Sequence, residues 1–174
     1  MAKIGIFPGS FKPYHAGHDE VIRLAADEND VVHVYASTSD RGNVSGAAMA
    51  IIWKDLIEPT LPVNVEVFYG GSPVRHVFEE VGKANETGAT DVFTIYSDPQ
   101  DIKTNYASMA KYTGDMIKNG QIIMRPVDRL STVDISATKM REWLQSGDRN
   151  NFVKMLPSTF DREKFWNILR ATIK

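Results

Sequence analysis

The chain has no cysteine at all, which removes disulfide cross-links, thiol nucleophiles and thiolate-built zinc sites from consideration. It also lacks a long apolar run. The N-terminus reads MAKIGIF and passes directly into proline, glycine and histidine, so neither a signal peptide nor a membrane span is expected there. Excess charge is missing too: the net charge is −2 and the pI about 6.1, which gives no global pull toward nucleic acid or an anionic membrane. Gly/Ser/Pro-rich linkers, low-complexity tracts and internal repeats are likewise absent. These gaps point to an intracellular, cytoplasmic protein that partners with neither nucleic acid nor membrane. Whether it forms a homo-oligomer is left open.

What is present is 174 residues, 43% hydrophobic and 24% charged, enough to bury the core of a single domain. Apolar runs of strand length alternate with stretches of helical period, the pattern of an α/β fold with a parallel sheet. Strands are expected at Lys3–Phe7, Val31–Ala36, Asn64–Tyr69, Asp91–Tyr96 and Gln121–Met124. Helices are expected near Gly17–Asp27, at Ala47–Glu58, and after Gly70-Gly71, where Val74, Val77, Phe78 and Val81 recur at helical spacing. The 97–106 stretch, SDPQDIKTNY, reads as the most loop-like internal segment. Beyond residue 130 the β pattern stops, and Ser136–Gln145, Asn150–Leu156 and Asp161–Ile173 read as helices. Residues 1–130 thus form an α/β core and 131–174 a helical C-terminal segment. Trp53, Trp143 and Trp166 sit on apolar stripes and are expected in the core.

Chemistry concentrates in two places. The first is G-S-F-K-P-Y-H-A-G-H, residues 9 to 18, between the first strand and the first helix, where open α/β sheets place ligand crevices. Gly9 permits a close backbone approach, Pro13 stiffens the loop, and Gly17 removes a side chain between His15 and His18. If the turn is helical, both imidazoles and the free N–H groups of the helix terminus aim at one point, suited to an anion. Ordinary surface or capping histidines are the bland alternative. A metal site is the poorer one, since two histidines without a convergent carboxylate make a weak zinc set. The second place is I-S-A-T-K-M-R, residues 135 to 141, with Asp134 and Ser136 available to cap a helix. Ser136, Thr138, Lys139 and Arg141 offer hydroxyls and cations around one helix N-terminus, a match to a triphosphate. The alternative there is a plain capped amphipathic helix.

The first segment resembles the signature of the nucleotidylyltransferase superfamily, G-[ST]-F-x-P-x-H-x-G-H, over ten consecutive positions, and the second resembles its ISxTxxR signature. Lys12 stands where many members carry Asp, Asn or Gln. Pro13 looks more like the adenylyltransferase branch than the cytidylyltransferase branch. The resemblance covers Lys3 to about Leu144 and implies a Rossmann-like parallel five-stranded sheet. It also implies transfer of AMP from ATP to a small phosphorylated acceptor, such as nicotinamide mononucleotide or phosphopantetheine, with release of pyrophosphate. His15, His18, Lys12 and Arg141 would then be catalytic, and Gly9, Ser10, Phe11, Gly17, Ser136, Thr138 and Lys139 would bind the nucleotide. Mg²⁺ would ride on the triphosphate without dedicated protein ligands. Arg41, Arg75, Asp98 and Asp101 follow later strands and are candidates for the acceptor or ribose. A cytidylyltransferase using CTP and a nucleotide-binding sensor without turnover are the competing readings. Class I aminoacyl-tRNA synthetases also use a HxGH-type signature, but this chain is too short and too acidic to carry a tRNA-binding domain.

Overall fold

The computed structural model describes residues 1–127 and 137–173. Five parallel strands form one sheet: β1 (Lys3–Gly9), β2 (Val31–Ala36), β3 (Val65–Tyr69), β4 (Val92–Ser97) and β5 (Ile122–Pro126), in the order β3-β2-β1-β4-β5. From β1 the chain runs outward through β2 to β3, then returns to place β4 on the other side of β1. Ile4 accordingly pairs with Val31 on one flank and Phe93 on the other. The carboxyl ends of β1 and β4 diverge at this reversal, which opens a crevice there.

Side chains on β1 alternate between faces, and each face has its own core. Phe7 joins Ile22, Val32, Val34 and Trp53 on one side, while Ile6 joins Val77, Val81, Ile95 and Ile122 on the other. The first core is filled by α1 (Ala16–Glu28) and α2 (Gly46–Ile52), the second by α3 (Pro73–Thr87). All three tryptophans fall on the first core, Trp53 and Trp166 buried and Trp143 packed against it.

Two local expectations are corrected. The helix expected over Ala47–Glu58 is α-helical only through Ile52, widens to a π-turn at Trp53–Ile57, and tightens to a 3₁₀ turn at Glu58–Thr60. Pro59 lacks the N–H that would continue the regular ladder, so the hydrogen bonding changes just before it. The expected stripe still holds, with Met49, Ile52, Trp53 and Leu56 all buried. The 97–106 stretch is largely a helix, α4 (Pro99–Asn105), rather than a loop. Asp98 caps it, accepting from the Asp101 N–H at 2.8 Å, and Pro99 occupies the first turn, where a missing N–H costs nothing.

Three helices close the chain: α5 (Ala137–Ser146), α6 (Arg149–Lys154) and α7 (Arg162–Arg170). Phe152 of α6 packs edge-on against Trp166 of α7 with centroids 5.1 Å apart, and Met140 and Leu144 of α5 enter the same core. Among the described residues no helix is long and apolar enough to cross a membrane.

Candidate active site

The loop after β1 is pinned at Phe11 and Lys12. Phe11 adopts a left-handed backbone, φ 52°, a conformation that costs a bulky residue about 1–3 kcal/mol and persists only where packing overrides it. Its ring supplies that packing. It lies edge-on to Phe7, Trp53 and His18 at 5.2, 5.3 and 4.8 Å, and it covers Gly9 so closely that a Cβ there would stand 2.8 Å from the ring. The Lys12–Pro13 peptide is cis.

Lys12 is 2% exposed, and its ammonium donates to the Ser10 and Ser37 carbonyls at 2.9 and 2.6 Å. Burial lowers its affinity for the proton, partly offset by nearby Asp40. It therefore ties the ends of β1 and β2 together while still contributing to the wall of the crevice.

The two histidines do not both lie in a helical turn. His15 has an extended backbone and caps α1, while His18 is its third helical residue. Their rings stack at 3.8 Å, and a reciprocal capping box joins them: the Gly17 N–H donates to His15 Nδ1 at 3.0 Å, and the His15 N–H donates to His18 Nδ1 at 3.2 Å. The Ala16 N–H is taken by the Met155 carbonyl of the C-terminal helices at 2.8 Å, and the capping box also engages the His18 N–H. The first-turn N–H groups, expected to face a ligand, are thus occupied within the protein. Because Nδ1 of each ring accepts, the proton of each neutral imidazole sits on Nε2. Gly17 is required by contact: a Cβ there would lie 2.9 Å from the His15 ring.

A chain of polar groups, buried at Tyr14 and Asp19, holds the turn from below. The Tyr14 hydroxyl donates to Asp19 Oδ1 at 2.6 Å, Arg23 Nε donates to Asp19 Oδ2 at 2.8 Å, and Arg23 also reaches the Thr60 carbonyl at 3.1 Å. Burial and the adjacent Asp19 carboxylate push the Tyr14 hydroxyl well above its usual range, so it remains a donor.

Residues 137–141 meet this loop directly. Arg141 donates to the Lys12 carbonyl at 2.8 Å and to Thr138 Oγ1 at 3.1 Å. Asn43, in the loop after β2, donates to the Arg141 carbonyl at 3.0 Å. Burial and the neighbouring Arg41 lower the Arg141 pKa, which marks two cations at one mouth. Together these elements enclose a crevice of about 420 Å³. It brings together Gly9, Ser10, Phe11, Lys12, His15, Gly17, His18, Arg41, Asp98, Asp101, Thr138 and Arg141 of the residues expected from sequence. Two expected residues do not reach it. Arg75 points outward on α3, 79% exposed and paired with Glu79 at 2.9 Å, because β3 is an edge strand far from the reversal at β1. Lys139 is exposed on α5, 3.6 Å from Glu142. Asp134 and Ser136 lie outside the described residues.

Sequence reasoning missed Ser97 and Val127, which also line the crevice, and Asn43, which positions α5. Ser97 ends a strand at its carboxyl edge, and that position was a usable signal. Asn43 sits in an ordinary polar turn and offered none.

Asp98 and Asp101 are the carboxylates on the crevice wall, and no group of three or more metal-ligating side chains occurs among the described residues. That donor set suits a Mg²⁺ ion held mainly by phosphates and water, which needs only one or two carboxylates from a protein.

No family model and no curated protein matches the chain. Solved structures do. A candidate nicotinate-nucleotide adenylyltransferase from Vibrio parahaemolyticus superposes with a TM-score of 0.56 at 19% identity, over 97% of this chain and 99% of that one. TmcAL from Thermotoga maritima, bound with α-thio ATP, gives 0.57 at 14% identity, over 98% of this chain and 56% of its own. A bifunctional NMN adenylyltransferase/ADP ribose pyrophosphatase from Francisella tularensis gives 0.60 at 17%, over 98% and 49%, and a second structure of it is complexed with AMP and a manganese ion. The chain spans about half the length of the Thermotoga and Francisella proteins. What these likenesses establish is the fold: a Rossmann-like α/β sheet of the kind on which these adenylyltransferases are built.

Proposed function

We propose that the chain is a nucleotidyltransferase that moves AMP from ATP to a small phosphorylated acceptor and releases pyrophosphate. One observation carries this reading: the histidine capping box and Arg141 of α5 line the same crevice, joined by the hydrogen bond from Arg141 to the Lys12 carbonyl. The reaction is an in-line displacement. An acceptor phosphate oxygen forms a bond to the α-phosphorus, the bond from that phosphorus to the bridging oxygen breaks, and pyrophosphate leaves with the electron pair.

Such chemistry needs positioning and charge stabilisation rather than a covalent nucleophile. His15 and His18, held by their Nδ1 atoms, donate through Nε2 to phosphate oxygens as charge develops. Thr138 and Arg141, with Ser136 beside them in sequence, hold the β- and γ-phosphates. Arg41, at the crevice mouth, meets the acceptor phosphate. Lys12 adds positive charge from beneath while fixing the loop. Mg²⁺ neutralises the triphosphate when bound, and Asp98 and Asp101 are the side chains able to touch it or its water.

The α-thio ATP and AMP held by proteins of this fold support an adenine nucleotide over CTP. The nicotinamide and nicotinate nucleotides named for the Francisella and Vibrio proteins make such mononucleotides the first acceptors to try. The test is pyrophosphate release with each of the four nucleoside triphosphates against nicotinamide mononucleotide and phosphopantetheine, alongside thermal shift with ATP. ATP-specific release supports the reading. Absence of any ATP-dependent stabilisation overturns it, and stabilisation without release against any acceptor reduces it to a nucleotide-binding module.

A further inference from the structure

A groove of about 820 Å³ runs along the outer side of α3, between that helix and residues 105–112, and none of its lining residues lines the crevice. α3 fills the second core with Val77, Val81 and Ala84, which leaves its opposite side facing out. On that side Arg75, Glu79, Gly82 and Glu86 recur at helical spacing, with Lys83 next to Gly82. A Cβ at Gly82 would meet nothing within 4 Å, so the middle of the groove is open down to the helix backbone. The other wall carries Tyr112, which is 63% exposed, its ring edge-on to half-buried Phe78 with centroids 5.8 Å apart. An exposed aromatic beside an open groove is the type of side chain that anchors protein contacts.

Charges on this side alternate along the axis: Arg75 positive, Glu79 negative, Lys83 positive, Glu86 negative. Within the chain Arg75 pairs with Glu79 at 2.9 Å, while Lys83 and Glu86 make no ion pair among the described residues. Such a row is complementary to itself when reversed. With a second α3 laid antiparallel about a twofold axis near Val81, Glu79 faces Lys83 of the second copy, Arg75 faces Glu86 of the second copy, and the symmetry repeats both pairs. A parallel copy in the same register sets like charge against like at every position. Gly82 falls beside the axis, where two helix backbones come closest and a side chain would hold them apart.

We propose that this face binds a second copy of the chain, α3 against α3 in antiparallel, to form a twofold homodimer. The net charge of −2 sets up little repulsion between copies. Exposed ion pairs are individually weak. The alternating charges therefore fix direction and register, while affinity comes from Tyr112 and Phe78 closing over the helix of the second copy. A helix of 15 residues is about 22 Å long, and a strip of that length and about 20 Å width buries about 900 Å² over the two copies, at the low end of specific interfaces. That area corresponds to a dimer in the micromolar range. The contact leaves the crevice open and stands apart from the nucleotidyltransferase reading.

Sedimentation velocity over about 1–200 µM protein provides the experiment, with a monomer–dimer equilibrium of Kd about 1–100 µM expected. Gly82→Gln has room in the monomer and replaces glycine by a better helix former, so its melting temperature should not fall, yet it should sediment as a monomer throughout. Lys83→Glu sets a carboxylate against Glu79 of the second copy and should raise Kd at least about tenfold. Adding Glu79→Lys to it rebuilds the pair with the signs exchanged, and Kd should return to within about threefold of wild type. That rescue separates a symmetric contact from a local effect on α3. Tyr112→Ser should weaken the dimer about tenfold. A wild-type chain that stays monomeric at about 200 µM overturns the proposal and leaves the groove to another partner. A dimer that survives both Gly82→Gln and Lys83→Glu has its contact elsewhere and overturns it too, as does failure of the exchanged pair to restore association. None of these outcomes bears on pyrophosphate release, which tests the catalytic reading separately.

Discussion

The two halves of the crevice are built on different principles. The histidine half is part of the core: Phe11 is wedged into an aromatic cluster, Lys12 is buried on two carbonyls, and the first turn of α1 has its N–H groups engaged by imidazoles and by Met155. The α5 half is attached rather than embedded. Its polar side reaches the core loop through Arg141 on the Lys12 carbonyl and through Asn43 on the Arg141 carbonyl, while Lys139 faces solvent. Packing preorganises the first half, so its geometry is present before substrate arrives. In the second, Met140 and Leu144 seat α5 in the core while hydrogen bonds set its polar side, so its contribution should appear mainly in nucleotide affinity.

The sharpest way to break that contrast is to remove one imidazole. His18→Ala deletes the acceptor for the His15 N–H and, on the proposed function, a phosphate donor, and a fall of about 10²–10³ in kcat is expected. ATP binding should weaken far less, because Arg141 and Arg41 remain at the crevice. A kcat within threefold of wild type would show that the stacked pair is only a helix cap.

Arg141→Ala comes next. It loses a charge-assisted bond to the Lys12 carbonyl and, on the proposed function, a phosphate ligand, with an expected rise in the ATP dissociation constant of about 10–100-fold by calorimetry. The melting temperature should move little, since Arg141 lies at the crevice mouth rather than in the core. A large loss of stability with unchanged affinity would reverse the assignment of the two halves.

How far the sequence disclosed all this depended on where the physics is local. The five strands were legible because each is a short apolar run, and the convergence of residues 9–18 with 138–141 was legible because both segments carry residue types suited to phosphate in a recognisable order. α4 was hidden because only Ile102 among Gln100, Asp101, Ile102, Lys103, Thr104 and Asn105 is apolar, so no hydrophobic period marks it. Its capping signal, Asp98 followed by Pro99, was present and outweighed by that polarity. Capping by the histidines stood only as the bland alternative, and its reciprocal form was hidden because imidazole is not an ordinary helix cap and the bond from Ala16 to Met155 spans most of the chain. Arg75 was misplaced for a topological reason: strand order, which puts β3 at the edge, is a long-range property.

A region remote from both halves separates stability from nucleotide affinity. On the opposite face of the sheet, His33 Nδ1 donates to the Glu80 carboxylate at 2.9 Å, and the Tyr35 hydroxyl donates to the same group, pinning α3 to β2. The hydrogen bond to Glu80 raises the His33 pKa, with burial opposing and the charges of Glu80 and Glu66 assisting. The folded protein holds this proton more tightly than the unfolded chain does. Its stabilising contribution is therefore complete below about pH 6.5 and is lost as pH rises through the elevated folded value. His33→Gln should flatten that part of the melting-temperature profile and leave the ATP affinity at fixed pH unchanged. A pH profile identical to wild type would remove His33 from the account of stability.

The smallest effect should come from Asn43→Ala, and it tests the attachment of α5 most directly. The substitution removes the bonds from Nδ2 to the Arg141 carbonyl and to Gln145 Oε1 at 3.0 and 3.2 Å, together worth about 1–2 kcal/mol. It also removes Oδ1, which is buried without a partner among the described residues and carries a cost of about 1–3 kcal/mol. The two effects offset, so the melting temperature should stay within about 2 °C of wild type. Loosening α5 still has a consequence for Arg141, whose carbonyl loses its tether, and a two- to fivefold weakening of ATP binding is expected, roughly 0.4–1 kcal/mol. A variant less stable by several degrees that binds ATP normally would mean that Asn43 braces the fold and that α5 is positioned by its buried Met140 and Leu144 alone.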